Sequence, residues 1–338
     1  MPSETFAEDF AAPPTPTARR RRLAPFLLRY GALAVFALIF VTFAITAPYF
    51  LSTYNIGNII GQSAIAGVLA VGLTLVMIGS GGNVVSGGID LSLAANMGLS
   101  AAVFASLVQA GQPDAVAVLG ALVTGLAVGA VNAVAVVALR IVPLLATLAV
   151  MNIVAGLELV LTGNTVIPAS TPLLQFLSSN LPGGVPVLAL VLIAFTAVLA
   201  VIIHLTAPGL RLYAVGEFPE AARAAGLPVR AYVAASFLGS GFCGGLAGIL
   251  SVAYLSGSTS GSGEMLLPVV VTALLGVVFS RRLVPTIGGT VLSALFVGVL
   301  LNGFQLLNIS SVLVNGVQGL LILLVVSATT ILRQKDSR

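Results

Sequence analysis

The 338 residues are 58% hydrophobic and only 7% charged, with a mean hydropathy of +1.14 and a net charge of +4. A soluble domain so apolar would have no polar surface left, so the composition points to a polytopic membrane protein. The 14 Lys and Arg residues form no patch on a soluble domain, which argues against a nucleic-acid partner, and the lone Cys243 excludes an intrachain disulfide.

In chain order, residues 1–25 are polar and Pro-rich, with Glu4, Glu8 and Asp9 too acidic for a transit peptide. They are expected to form a disordered cytoplasmic tail. The apolar run 26–47 is too long for a signal-peptide core and reads as the first span. Further runs lie at 62–79, 91–109, 115–139, 142–161, 185–205, 232–255, 265–279, 286–306 and 312–332. The expectation is an all-α transmembrane domain over 26–332 with about ten spans, each near the ~20 residues a bilayer requires. Residues 333–338 then form a cytoplasmic tail.

Charge tests this count. With the N-terminus inside, Arg19–Arg22, Arg29, Arg140, Arg211, Arg223, Arg230, Arg281, Arg282, Arg333, Lys335 and Arg338 all fall on the inner side. The outer loops hold acids such as Asp114 and Glu264 and no cation. Both termini are therefore expected to be cytoplasmic. Small residues at four-residue spacing, Ala121, Gly125, Gly129 and Ala133, form one ridge; Gly241, Gly245 and Gly244, Gly248 form two more. Such ridges allow close helix approach.

The loop 206–231 is the most informative polar stretch. Pro219 suits a first helical position, Gly226 a left-handed C-terminal residue, and Pro228 blocks continuation. Between them lie about two turns, too short to be stable alone. The segment has no row of large apolar residues for a membrane surface, and its alanines suit close approach to a protein groove. An ordinary capped connector is the competing reading.

The stretch 79–93 places five glycines in ten residues between spans two and three. Irregular backbone at membrane depth is tolerated only inside protein or beside a water-filled cavity. Asp90 is placed to cap the following helix.

The segment YAVGEFPEAARAAGL resembles the cytoplasmic coupling loop of ABC importer permeases of the ribose/xylose/galactoside type. In that family the EAAR-x-x-G segment fits a groove on the ATPase subunit. GGIDLS at 87–92 is similar to a hallmark of the same sugar-type permeases. The segments from Arg140 (RIVPLLATLA) and Val297 (VGVLLNGFQLL) resemble further family motifs, with Asn132 where an Asn-Gly pair is usual. The likeness covers spans two to ten. Departures are Val154-Ala155-Gly156 where Ala-Arg-Gly is usual, and the segment 277–285 in place of a Gly-rich loop. The resemblance implies a type II-like ABC importer permease, with Glu220, Ala221, Ala222, Arg223 and Gly226 coupling to the ATPase.

Polar residues within or beside spans are pathway candidates: Asp90, Ser92, Asn96, Asn132, Asn152, Glu158, Asn302 and Gln305. Intramembrane carboxylates are functional by default, but Glu158 falls near the outer end of its span and is expected to be solvated. The asparagines and Gln305 equally suit bonds between helices. No Gly-Lys-Ser/Thr exists, since the sole lysine is Lys335, so the chain is expected to carry no ATP site and no catalysis of its own. The resemblance implies ATP and Mg²⁺ on a separate ATPase, an extracytoplasmic solute-binding protein and a second permease copy in the bacterial inner membrane. The cargo it implies is a sugar, polyol or similar small hydroxylated solute; a nucleoside, an autoinducer-like sugar derivative or a branched-chain amino acid is the alternative. A secondary transporter working alone would need Asp90 or Glu158 to be ion-coupled. One histidine, one cysteine and no clustered ligands argue against an intramembrane enzyme.

Overall fold

The computed structural model describes residues 16–81, 88–182, 184–258, 261–280 and 283–336. In chain order the helices are α1 (Pro16–Thr46), α2 (Thr53–Gly79), α3 (Leu93–Gln109), α4 (Asp114–Ala133), α5 (Pro143–Thr162), α6 (Pro172–Ser178), α7 (Val187–Leu205), α8 (Ala207–Glu217), α9 (Pro219–Ala224), α10 (Val229–Leu255), α11 (Leu266–Phe279), α12 (Ile287–Leu306) and α13 (Ser311–Asp336). Two short strands, β1 (Ile167–Pro168) and β2 (Gly257–Ser258), pair antiparallel at the ends of α5 and α10. Each expected apolar run is therefore helical. Six helices are long and apolar enough to cross a membrane: α2, α4 with its extension to Ala138, α5, α7, α10 and α12. Shorter apolar stretches lie in α1, α3, α11 and α13 among the described residues.

The ends differ from expectation. α1 begins at Pro16 and α13 runs to Asp336, so residues 16–25 and 333–336 extend helices instead of forming tails. Residues 1–15 and 337–338, and with them the rest of both expected tails, lie outside the described residues, as do Arg281 and Arg282.

Local signals set the boundaries. Ser52 Oγ accepts the Asn55 N–H at 3.2 Å to open α2, and Thr286 Oγ1 accepts the Gly289 N–H at 3.2 Å to open α12. Pro143 stands in the first turn of α5, and Gly163 ends it with φ 58°. α4 does not stop cleanly: it widens into one π turn over Val134–Ala138, closed by Leu139 N–H to Val134 O at 3.0 Å.

Two helices form the centre. In α2, 89% of the most apolar window is buried, and α10 packs on α2, α3 and α4. The peripheral helices α4, α5 and α7 bury only about a third of theirs. Their outer faces, with Leu119, Val123, Ile153, Val160, Ile193 and Val198, are apolar and exposed, as surfaces facing lipid must be.

The glycine ridges work as expected, and each has its own partner. A Cβ on Gly125 would lie 2.5 Å from Gly241 O and 2.6 Å from Gly245 N, so the Gly241/Gly245 ridge faces α4. A Cβ on Gly248 would lie 2.8 Å from Met97 O, so the Gly244/Gly248 ridge faces α3. Backbone meets backbone at this three-helix crossing, a route to close packing where no hydrophobic effect drives association.

Candidate functional site

The segment joining α7 to α10 is two helices, not one. α8 was not apparent in the sequence because Arg211 and Glu217 made the stretch resemble a loop. Its buried face, Gly209, Leu212 and Val215, follows a helical spacing that marks it, and it lies on α2 and α7. At the C-terminal end of α2, Gly216 abuts the Ile78 carbonyl, and a Cβ on it would lie 3.1 Å from Gly81 N. Only glycine fits there. Tyr213 Oη donates to Pro285 O at 2.7 Å, tying α8 to the connector before α12. Desolvation raises the Tyr213 pKa, so the hydroxyl stays protonated and remains a donor.

Phe218 (φ −137°, ψ 69°) breaks α8 from α9. α9 has the expected form: Pro219 opens it, and Gly226 follows it at φ 80°. Gly226 N–H reaches Arg223 O and Leu227 N–H reaches Ala222 O, both at 3.0 Å, which completes a Schellman end. Arg223 pairs with Glu220 at 2.6 Å on the open surface, a contact of little energetic consequence. Ala222 is 5% exposed because its side of the two-turn helix rests on the chain itself. The open face is instead Phe218, which is 70% exposed, with Ala221, Ala225 and Gly226.

A second group surrounds the start of α3. Residues 82–87 of the glycine-rich break lie outside the described residues, but its end is held from three sides. Asp90 is 2% exposed. Its Oδ1 accepts Ser92 N–H at 3.0 Å, Ser92 Oγ–H at 2.7 Å and Asn132 Nδ2–H at 3.3 Å; its Oδ2 accepts Ser240 Oγ–H at 2.7 Å. Asn132 also donates to Ser92 Oγ at 2.7 Å. Thr147 of α5 brackets the same segment, accepting Leu91 N–H and donating to Ile89 O, each at 3.1 Å. Four donated hydrogen bonds offset part of the desolvation of the buried Asp90 carboxyl. α3 starts at Leu93 with Ser92 as its cap residue, so Asp90 holds the approach to the helix instead of capping it. Ser240 and Thr147 join the group only through the fold. Thr147 lies within the RIVPLLATLA motif, whereas a serine on a glycine-rich helix carries no such mark.

The other candidates scatter. Asn96 Nδ2 donates to Gly125 O and Gly241 O at 3.3 and 3.2 Å, which locks the glycine crossing. Asn302 exchanges amide hydrogen bonds of 2.8 and 2.9 Å with Asn55, joining α12 to α2. Asn152 is exposed and bonds back to Leu148 O on its own helix at 2.8 Å. Glu158 is not solvated as expected: it is 3% exposed. It belongs to the α5 stripe Ala146, Val150, Val154, Glu158 and Thr162, whose four-residue spacing turns it inward beside α3. Gln305 stands exposed at the mouth of a cavity between α2 and α12.

Residues 55–326 match the family model described as the branched-chain amino acid transport system permease component. The chain belongs to that family. Its relatives include the ribose import permease protein of Escherichia coli K12, 32% identical over 92% of this chain and 97% of that protein. The ribose import permease protein of Bacillus subtilis is 31% identical over 90% of this chain and 92% of its own length. The galactofuranose transporter permease protein of Escherichia coli K12 is 30% identical over 73% and 72%. No solved structure matches. A permease of this family with several apolar helices is a multi-pass protein of the bacterial inner membrane, and its relatives are transport subunits, not catalysts.

Proposed function

We propose that this permease is the membrane subunit of an ATP-driven importer for a sugar, polyol or similar small hydroxylated solute. The cargo class follows the ribose and galactofuranose permeases it resembles. ATP and Mg²⁺ reside on a separate ATPase, a solute-binding protein delivers cargo from outside, and two permease copies form the pore. Ten spans cross the membrane with both termini cytoplasmic.

The observation that carries the coupling is the exposed, capped α9 mounted on α8. A two-turn helix is marginal alone, yet here both ends are closed by hydrogen bonds and Phe218 is presented outward. An exposed aromatic beside small alanines is the composition of an anchor entering a groove. ATPase closure pushes α9, α8 moves with it, and the Gly216 contact transfers the displacement to the inner end of α2.

Co-purification of the ATPase with the permease tests this. Ala221→Trp adds bulk on the open face and is expected to abolish co-purification without changing the permease melting temperature, because overpacking a fitted interface costs about 1–3 kcal/mol. Ala222→Trp overpacks the chain itself and is expected to lower the melting temperature as well. Retention of the ATPase by Ala221→Trp and by Phe218→Ala together would remove α9 as the docking helix.

A further inference from the structure

A cavity of about 580 Å³ lies at the opposite end of α12 from Gln305, between the last turn of α7, the first half of α8, the end of α11 and the connector into α12. Its volume falls within the ~300–1,000 Å³ typical of small-molecule sites. Leu210, Phe279 and Val284 give it apolar walls, and the Tyr213 ring stacks beside His204 with centroids 6.0 Å apart. Tyr213 already donates its proton to Pro285 O. The His204 imidazole also lines the space, and Thr286 Oγ1, which accepts Gly289 N–H, keeps its proton for another partner.

The surroundings point to the occupant. The cavity adjoins the strip of α7 formed by Ile193, Val198, Val201 and Leu205, which is apolar and exposed as a lipid-facing surface is. Leu210, in the cavity wall on α8, is exposed as well. An acyl chain can therefore pass from the bilayer into the cavity without leaving apolar surroundings. Charge selects the headgroup. Arg211 stands exposed beside Leu210, and no Asp or Glu lines the cavity. The first acid along α8, Glu217, is six residues further on, about 9 Å. On the orientation proposed above this is the cytoplasmic face, where basic pockets between membrane helices receive anionic headgroups.

We propose that this cavity is a site for an anionic phospholipid, with one acyl chain inside it and the phosphate beside His204 and Arg211, and that the bound lipid strengthens coupling. The atoms lining an empty space have no contacts on one side, so α8 can yield into it when α9 is pushed. A filled cavity packs α8 against the connector into α12, and the displacement reaches the Gly216 contact with α2 undiminished. The effect on coupling rests on the importer reading above; the lipid site itself does not.

The test uses the full complex of permease, ATPase and binding protein in phosphatidylcholine nanodiscs, with or without phosphatidylglycerol. The probe is a phosphatidylglycerol with a diazirine on one acyl chain, and crosslinked peptides are mapped by mass spectrometry. Crosslinks are expected in α8 and at the end of α11, and Leu210→Trp, which fills the cavity, is expected to reduce them fivefold or more. Phosphatidylglycerol is expected to raise sugar-stimulated ATP hydrolysis threefold or more in wild type. Most of that rise is expected to vanish in a His204→Gln, Arg211→Gln double variant that still assembles with the ATPase. Glycerol 3-phosphate in phosphatidylcholine discs is expected to have no effect; stimulation by it would overturn the lipid assignment in favour of a soluble phosphate. Absence of crosslinks from both helices, or stimulation that survives both Leu210→Trp and the double variant, overturns the site. Crosslinks without stimulation in a complex that imports sugar would remove the lipid from coupling. Crosslinks in a permease that never retains an ATPase would sink the importer reading and leave the lipid site standing.

Discussion

Single residues in this permease matter mainly through hydrogen bonds that span long stretches of chain. Ser240 stabilises Asp90 from 150 positions away. Leaving a buried acceptor unpaired costs about 1–3 kcal/mol, so Ser240→Ala is expected to destabilise by that amount and to loosen the start of α3. The measurement is thermal unfolding followed with a thiol-reactive fluorophore, since Cys243 becomes reactive only when α10 opens. The Asn55–Asn302 pair gives a sharper test. Either alanine substitution alone strands a buried amide and costs about 1–3 kcal/mol. The double substitution is expected to cost less than the sum, which an unfolding cycle in nanodiscs would show. Additivity would mean that the two amides do not depend on each other.

At the scale of elements, the α4–α10 crossing and the α8–α9 pair behave in opposite ways. The crossing is rigid because backbone lies against backbone; Gly125→Ala is expected to cost about 1–3 kcal/mol, as overpacking does. Gly319→Ala on α13, where a Cβ meets nothing within 4 Å, is expected to be neutral or stabilising. Similar melting-temperature losses for both would refute the close-approach account. In the α8–α9 pair, α8 packs on α2 and α7, whereas α9 is mostly exposed and closed by its caps. Gly226→Val is expected to deform the end of α9, because φ 80° is a conformation that β-branched residues avoid; the readout is loss of sugar-stimulated ATP hydrolysis.

For the whole molecule, topology is the first test. Cysteines at Gln112, Asn164 and Glu264 are expected to label from outside, and cysteines at Arg211 and Arg223 only from within; all five positions are exposed. Outside labelling at Arg223 would reverse the orientation. Ser258 would be a poor probe, since β pairing leaves it 1% exposed.

The order of the apolar helices, the glycine ridges, the two ends of α9 and the family were all legible in the sequence. Each depends on local chemistry: run length, small-residue spacing, a proline at one end and a glycine at the other. Which way a side chain faces was not legible, as Ala222 and Glu158 show. In a soluble helix a polar stripe marks the outer face. Here lipid makes the outer face as apolar as the inner one, so that mark is missing from most of the chain. Packing alone then decided that Glu158 turns toward α3, that Ala222 rests on its own chain, and that Asp90 meets Ser240. Even the α8 stripe of Gly209, Leu212 and Val215 acquires meaning only against α2 and α7.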